Sequence, residues 1–235
     1  MKNIIEDVRK ALKEASDEKT LSSGKRFFKE EVRFYGVTMP KTQKIAKDKF
    51  VSIKGLNKKE IFGFCEELLK SGYIEEAMVA AHWAYFINKQ YQSSDIDVFE
   101  RWIEKYIDNW AECDTLCNHA VGTLVEMYPE HIERLKKWTK SSNRWMKRAA
   151  AVSLIIPARK GKFLNEIMQI ANSLLEDKDD LVQKGYGWML KAASQAHEKK
   201  IYDFVMKNKR KMPRTALRYA IEKMSPNLRK SAMEK

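Results

Sequence analysis

At 235 residues the chain is long enough for one substantial domain or a short array of repeats, and nine glycines and five prolines give too few turns for an all-β protein. Lys and Arg outnumber Asp and Glu by 45 to 32, which suits either a polyanionic partner or a solvated basic surface. Charges at Lys2, Glu6 and Asp7 break the stretch where a signal peptide needs apolar residues, and no window approaches the roughly 18 apolar residues of a membrane span, so a cytosolic protein with no membrane partner is expected.

Taken from the N-terminus, Gly24 and Gly36 bracket a short predicted helix, Lys25-Arg26-Phe27-Phe28-Lys29. Glu76 to Trp83 is a helix with small residues on one face and a large aromatic residue a turn later. Ser93-Ser94-Asp95 caps an amphipathic helix from Asp97 to Ile107, and a further helix carries Trp110, Cys113, Asp114 and Cys117. Pro129 opens the helix containing Trp138, and Ser141-Ser142-Asn143 caps the helix that contains Arg148 to Leu154. The acidic run Glu176 to Asp180 leads into the helix with Lys184 to Leu190, and Pro213 opens the last inner helix.

The segments beginning at Glu76, Arg148 and Lys184 share one texture, and the last two lie about 36 residues apart, the period of a two-helix repeat. An all-α solenoid in a single domain, 1–235, is expected, with small residues letting neighbouring repeats approach and the stack curving around a groove. Charge follows the chain unevenly. Acids outnumber bases from Glu60 to Asp114, whereas about two dozen bases face fewer than ten acids from Lys136 onward. That cationic end makes nucleic acid the first partner to consider.

Cys113, Cys117 and His119 have some of the look of a metal site, but no second ligand cluster follows them. Buried thiols in a reducing compartment are the simpler account, and neither metal nor cofactor is expected. Trp110 and Asp114 fall one turn apart on one helix face, Arg148 begins the next inner segment, and Trp188 sits early in the one after. If inner helices line a groove, these four face one another. The alternative is that the tryptophans fill the core and that Arg148 and Asp114 form a structural ion pair.

Trp110-Ala111-Glu112-Cys113-Asp114 resembles the W-x-x-x-D signature of the AlkD-like DNA alkylation repair family, built from HEAT-like repeats. Three further stretches match that family in order: Phe34-Tyr35-Gly36-Val37 with Pro40, Trp145-Met146-Lys147-Arg148-Ala149-Ala150, and Gln183-Lys184-Gly185-Tyr186-Gly187-Trp188. One departure is Gln43, with Lys44 beside it, where the family often has an arginine that contacts phosphate.

The resemblance implies a curved α-solenoid of HEAT-like repeats whose basic face holds duplex DNA, with Trp110, Asp114, Arg148 and Trp188 at the lesion. It also implies excision of purines alkylated at N3 or N7, such as 3-methyladenine and 7-methylguanine, by a monofunctional glycosylase that need not extrude the damaged nucleotide. Such bases carry positive charge and leave without a general acid. The remaining difficulty is the sugar cation, which a carboxylate stabilises while orienting water, and Asp114 suits that role.

Indole faces at Trp110 and Trp188 would favour the cationic nucleotide, and Arg148 would meet a phosphate because it cannot act as a base. Lys147, Lys184, Lys191, Arg214 and Arg218 are candidate phosphate contacts, with solvated surface charge as the alternative for each. Phe27 matches an aromatic position near the family's N-terminal DNA contacts, unless it packs in the core. No exposed apolar stripe calls for an oligomer, so a monomer is expected. Two other readings compete: a non-catalytic HEAT-like protein that binds distorted or branched DNA, and a protein-interaction scaffold.

Overall fold

The computed structural model describes residues 2–29 and 31–234, among which there are fifteen α-helices and no strand, apart from an isolated bridge between Arg33 and Tyr73. The chain divides into two compact units, 1–120 and 121–235. No helix among the described residues is long and apolar enough to cross a membrane.

The first unit holds α1 (Lys2–Ala15), α2 (Glu18–Gly24), α3 (Met39–Phe50), α4 (Lys58–Leu69), α5 (Ile74–Phe86), α6 (Asp95–Tyr106) and α7 (Trp110–Leu116). Helix α5 is its centre, with α3, α4 and α7 packed on it. Buried Ala77, Ala80, Ala81 and Ala84 explain that role, because small side chains let several neighbours approach one helix at once. The core is pinned by buried polar groups that find partners: the Trp83 indole donates to the Ala46 carbonyl at 2.8 Å, and the Tyr91 hydroxyl donates to the Ala84 carbonyl at 2.8 Å.

Two buried acids in the first turn of α5 fold the N-terminal segment onto it. The Glu75 carboxylate accepts the backbone N–H groups of Tyr35, Gly36 and Val37 at 2.9–3.0 Å, a wrap that needs the left-handed backbone of Gly36 (φ +83°). Glu76 accepts the Tyr35 hydroxyl at 2.7 Å and the Arg9 guanidinium at 3.2 Å. Elsewhere in this unit a full capping box, Asn57 with Glu60, starts α4. At α6, Ser94 occupies the cap position without a side-chain bond; Asp95 instead accepts from the Gln92 amide at 2.8 Å and pairs with Lys58 at 2.7 Å.

The expected helix at 25–29 is shorter than the sequence suggests. Only Lys25–Phe27 turns, as a 3-10 helix, and Phe28 leaves it in extended conformation. The reason is packing: Phe28, Val32 and Phe34 reach the apolar patch of Ile74, Met78 and Ala111, a reward that a continued helix would forfeit.

The second unit holds α8 (Gly122–Met127), α9 (Ile132–Trp138), α10 (Arg144–Val152), α11 (Ile155–Arg159), α12 (Leu164–Ser173), α13 (Asp180–Asn208), α14 (Arg214–Ile221) and α15 (Pro226–Met233). Its centre is α13, against which α10, α11, α12 and α14 pack. Helix α13 kinks at His197 (φ −136°, ψ 50°), whose Nε2 lies 3.0 Å from the Gly161 carbonyl oxygen. The expected caps are present: Asn143 accepts from the Trp145 amide to start α10, and Asp179 accepts from Leu181 and Val182 to start α13. Helix α15 starts at Pro226, with Ser225 at the cap position, a local N-terminal signal absent from the helix starts expected above.

Candidate functional site

In the first unit the site residues sit on α7, started by the Asn109 side chain accepting from the Glu112 amide at 3.1 Å. Trp110 is its first residue and Asp114 lies one turn on, and both are half-buried. Phe28 stacks on Trp110 with ring centroids 5.4 Å apart and planes 19° from parallel, so the indole has a fixed orientation. Beyond Leu116 the helix passes into a π-helical turn, Cys117–Val121.

The two carboxylates of α7 differ. Glu112 is buried, and that burial, with the Asp108 charge nearby, pushes its carboxyl up to about 8. At neutral pH Glu112 is protonated, while Asp114 reaches the surface. Cys65, Cys113 and Cys117 are buried and not disulfide-bonded, and burial raises the Cys65 thiol far above the ordinary range. Among the described residues no three His, Cys, Asp or Glu side chains gather as metal ligands.

In the second unit Arg148 and Trp188 come from α10 and α13. Arg148 is only 5% exposed, and its guanidinium donates to the Leu181 carbonyl in the first turn of α13. Gly185 makes the room: a Cβ there would meet Arg148 Cγ at 3.2 Å. Gly187 faces the other way, where a Cβ would stand 2.7 Å from Tyr219 Cβ and 3.0 Å from the Ala216 carbonyl oxygen on α14. Between them Tyr186 is buried and donates its hydroxyl to the Leu175 carbonyl at 2.9 Å. The Gly-Tyr-Gly run therefore seats α13 between α10 and α14, and the Trp188 beside it stays half-buried.

The tryptophans fall into two groups on this evidence of burial. Trp83, Trp102, Trp138 and Trp145 are buried core residues, whereas Trp110 and Trp188 keep part of the ring open.

The candidate phosphate contacts also divide. Lys147 pairs with Asp177 at 2.6 Å, Lys184 with Asp180 at 2.7 Å and Lys191 with Glu222 at 3.0 Å, so each spends its charge inside the second unit. The acidic run before α13 thus serves as a cap and as counterion to α10, whose Arg144 also binds Asp179. Arg214 and Arg218 are exposed on α14, and no acid lies in ion-pair range of either among the described residues. In the first unit Lys44 is exposed on α3, and Phe27 is 71% exposed, which sets aside its reading as a packed core residue.

Three residues with a clear part in this geometry were not singled out from the sequence: Phe28, Glu112 and Gly185. Phe28 is hidden by the helical reading of 25–29, and Glu112 looks like an ordinary first-turn acid. Gly185 stands inside a helix, where glycine costs about 0.5–1 kcal/mol against alanine, and that cost is the available signal that something must come close.

A family model described as DNA alkylation repair enzyme matches residues 8–224 of the chain. Among solved structures the fold resembles that of a predicted DNA alkylation repair enzyme from Enterococcus faecalis, with a TM-score of 0.79 and 15% sequence identity, covering 90% of this chain and 97% of that one. At that identity the likeness is one of fold. No curated protein sequence matches significantly.

Proposed function

Because the chain belongs to the DNA alkylation repair enzyme family, we propose that it is a monofunctional glycosylase that hydrolyses the N-glycosidic bond of purines alkylated at N3 or N7 in duplex DNA. The observation that carries this reading is the half-buried pair of Trp110 and Asp114 on α7, with the indole held by Phe28 and the neighbouring Glu112 kept neutral. In this reading the helix pairs of each unit are HEAT-like repeats, and the protein acts as a monomer.

The chemistry asks little of the protein beyond electrostatics. As the bond between C1′ and the purine nitrogen breaks, its electron pair neutralises the cationic base, which needs no proton to leave. Positive charge then develops on the sugar, where the Asp114 carboxylate stabilises it by proximity and charge. A water attacks C1′ and gives up its proton to Asp114 or to solvent, leaving an abasic sugar. Trp110 offers the face of its indole to the cationic nucleotide. Trp188 is assigned a DNA-facing role by its open ring, and Lys44, Phe27, Arg214 and Arg218 are assigned contacts with the strand.

Burial modifies the part given to Arg148. With its guanidinium donating to the Leu181 carbonyl, it acts on DNA chiefly by fixing the start of α13, and so the setting of Trp188. Lys147, Lys184 and Lys191 reach phosphate only by exchanging their present carboxylate partners.

The test is chromatography of bases released from methylated duplex DNA. Wild-type protein should free 3-methyladenine or 7-methylguanine and leave the strand uncut until it is heated or treated with alkali. Tight binding with no base released would instead favour a non-catalytic DNA-binding role.

A further inference from the structure

Resting on the DNA-binding reading above, we propose that α14 and α15 form a second phosphate-binding site, which grips the backbone of undamaged duplex and is indifferent to base damage. A pocket of about 720 Å³ lies between these two helices, wholly inside the second unit. Arg214 and Arg218, one turn apart on α14, open onto it from one side, and Arg229 and Lys230 on α15 from the other. All four are exposed, and none has an acid in ion-pair range among the described residues. The one acid lining the pocket, Glu222, is already held by Lys191 at 3.0 Å.

That pattern is opposite to that of the three candidate lysines in the same unit, Lys147, Lys184 and Lys191, each of which is ion-paired. Four like charges around a concavity repel one another, and the repulsion is relieved when a polyanion enters. The planar fork of arginine fits phosphate oxygens, and three of the four cations are arginines. The volume exceeds that of a single phosphate, which suits a continuous backbone. No carboxylate is free there to serve a sugar, so the site binds and does not catalyse. Arg229 and Lys230 also lie beyond residue 224, where the family match ends, so this grip adds to what the matched segment supplies.

The experiment measures the affinity of the full chain for a short undamaged duplex across a range of salt concentrations. Each lost phosphate contact removes about 0.9 from the slope of log affinity against log salt. Arg229→Gln combined with Lys230→Gln should make the slope shallower by about 1 to 2 and weaken binding about tenfold or more near 0.1 M salt. A control with the same charge change on exposed residues of the first unit, Lys10→Gln with Lys19→Gln, should change the slope much less. Thermal melting checks that both variants fold, as surface changes should allow.

An unchanged slope in the α15 variant, or the same change in the control, overturns the proposal. Base release from methylated DNA is followed in parallel. A shallower slope without any base release leaves this site standing and removes the glycosylase; base release with an unchanged slope does the reverse.

Discussion

Glu112 and Arg148 show what burial does to charged residues beside a candidate site. The Glu112 proton is held up to about pH 8 in the folded chain, against an ordinary carboxyl value of 4.5. Between those values the folded state keeps a proton that the unfolded state has lost, so stability falls as pH rises through this window. Glu112→Gln keeps the shape and removes the titration. Thermal melts should show little difference from wild type near pH 4.5 and a variant more stable by roughly 5 °C or more at pH 8.5. A gap that does not widen with pH would mean that Glu112 is ionised in the fold. For Arg148 the expected result is loss of stability: Arg148→Ala removes the guanidinium bond to the Leu181 carbonyl and leaves a hole against Gly185, costing roughly 2–4 kcal/mol in urea unfolding.

Among the helices, the glycines of α13 allow a sharper comparison. At Gly187 an added Cβ meets Tyr219 Cβ and the backbone of Ala216, which cannot step aside, so Gly187→Ala should cost roughly 1–3 kcal/mol by denaturant unfolding. Gly63 sits exposed in α4 with nothing within 4 Å of an added Cβ, and Gly63→Ala should gain about 0.5–1 kcal/mol from helix propensity alone. If both changes act alike, close approach of α13 to α14 is not what Gly187 provides. These helices also mark how far sequence reading reaches. Asn143, Asp179 and Pro129 announced helix starts because capping is local chemistry, readable within four residues. The alanine-rich faces of α5 and α10 were legible because a periodic pattern survives in one dimension.

What escaped were pairings between distant segments. Phe28 leaves its helix for a patch built from Ile74, Met78 and Ala111, and nothing near residue 28 encodes that reward. The cations Lys147 and Arg144 look free in sequence, yet Asp177 and Asp179, thirty or more residues later, take them up. The candidate site shows the same divide. Trp110, Asp114 and Trp188 could be picked out as residue types at helical spacing, but their half-open state, against four buried tryptophans, is a matter of packing.

Across the chain the basic excess falls entirely on one side of the division. Residues 1–120 carry 20 Lys and Arg and 20 Asp and Glu, while residues 121–235 carry 25 against 12. On the proposed function, the net electrostatic pull on a polyanion comes from the second unit, and the chemistry from α7 in the first. Affinity and turnover should accordingly separate under mutation: neutralising Arg229 and Lys230 weakens binding and its salt dependence, whereas changing Asp114 leaves both nearly intact and removes the reaction. That separation is measured by comparing wild type with Asp114→Asn on one methylated duplex, recording the dissociation constant and the single-turnover rate of base release. The account predicts a rate lower by about a hundredfold or more at an affinity within a few-fold of wild type. Base release at the wild-type rate from the Asn variant would contradict it.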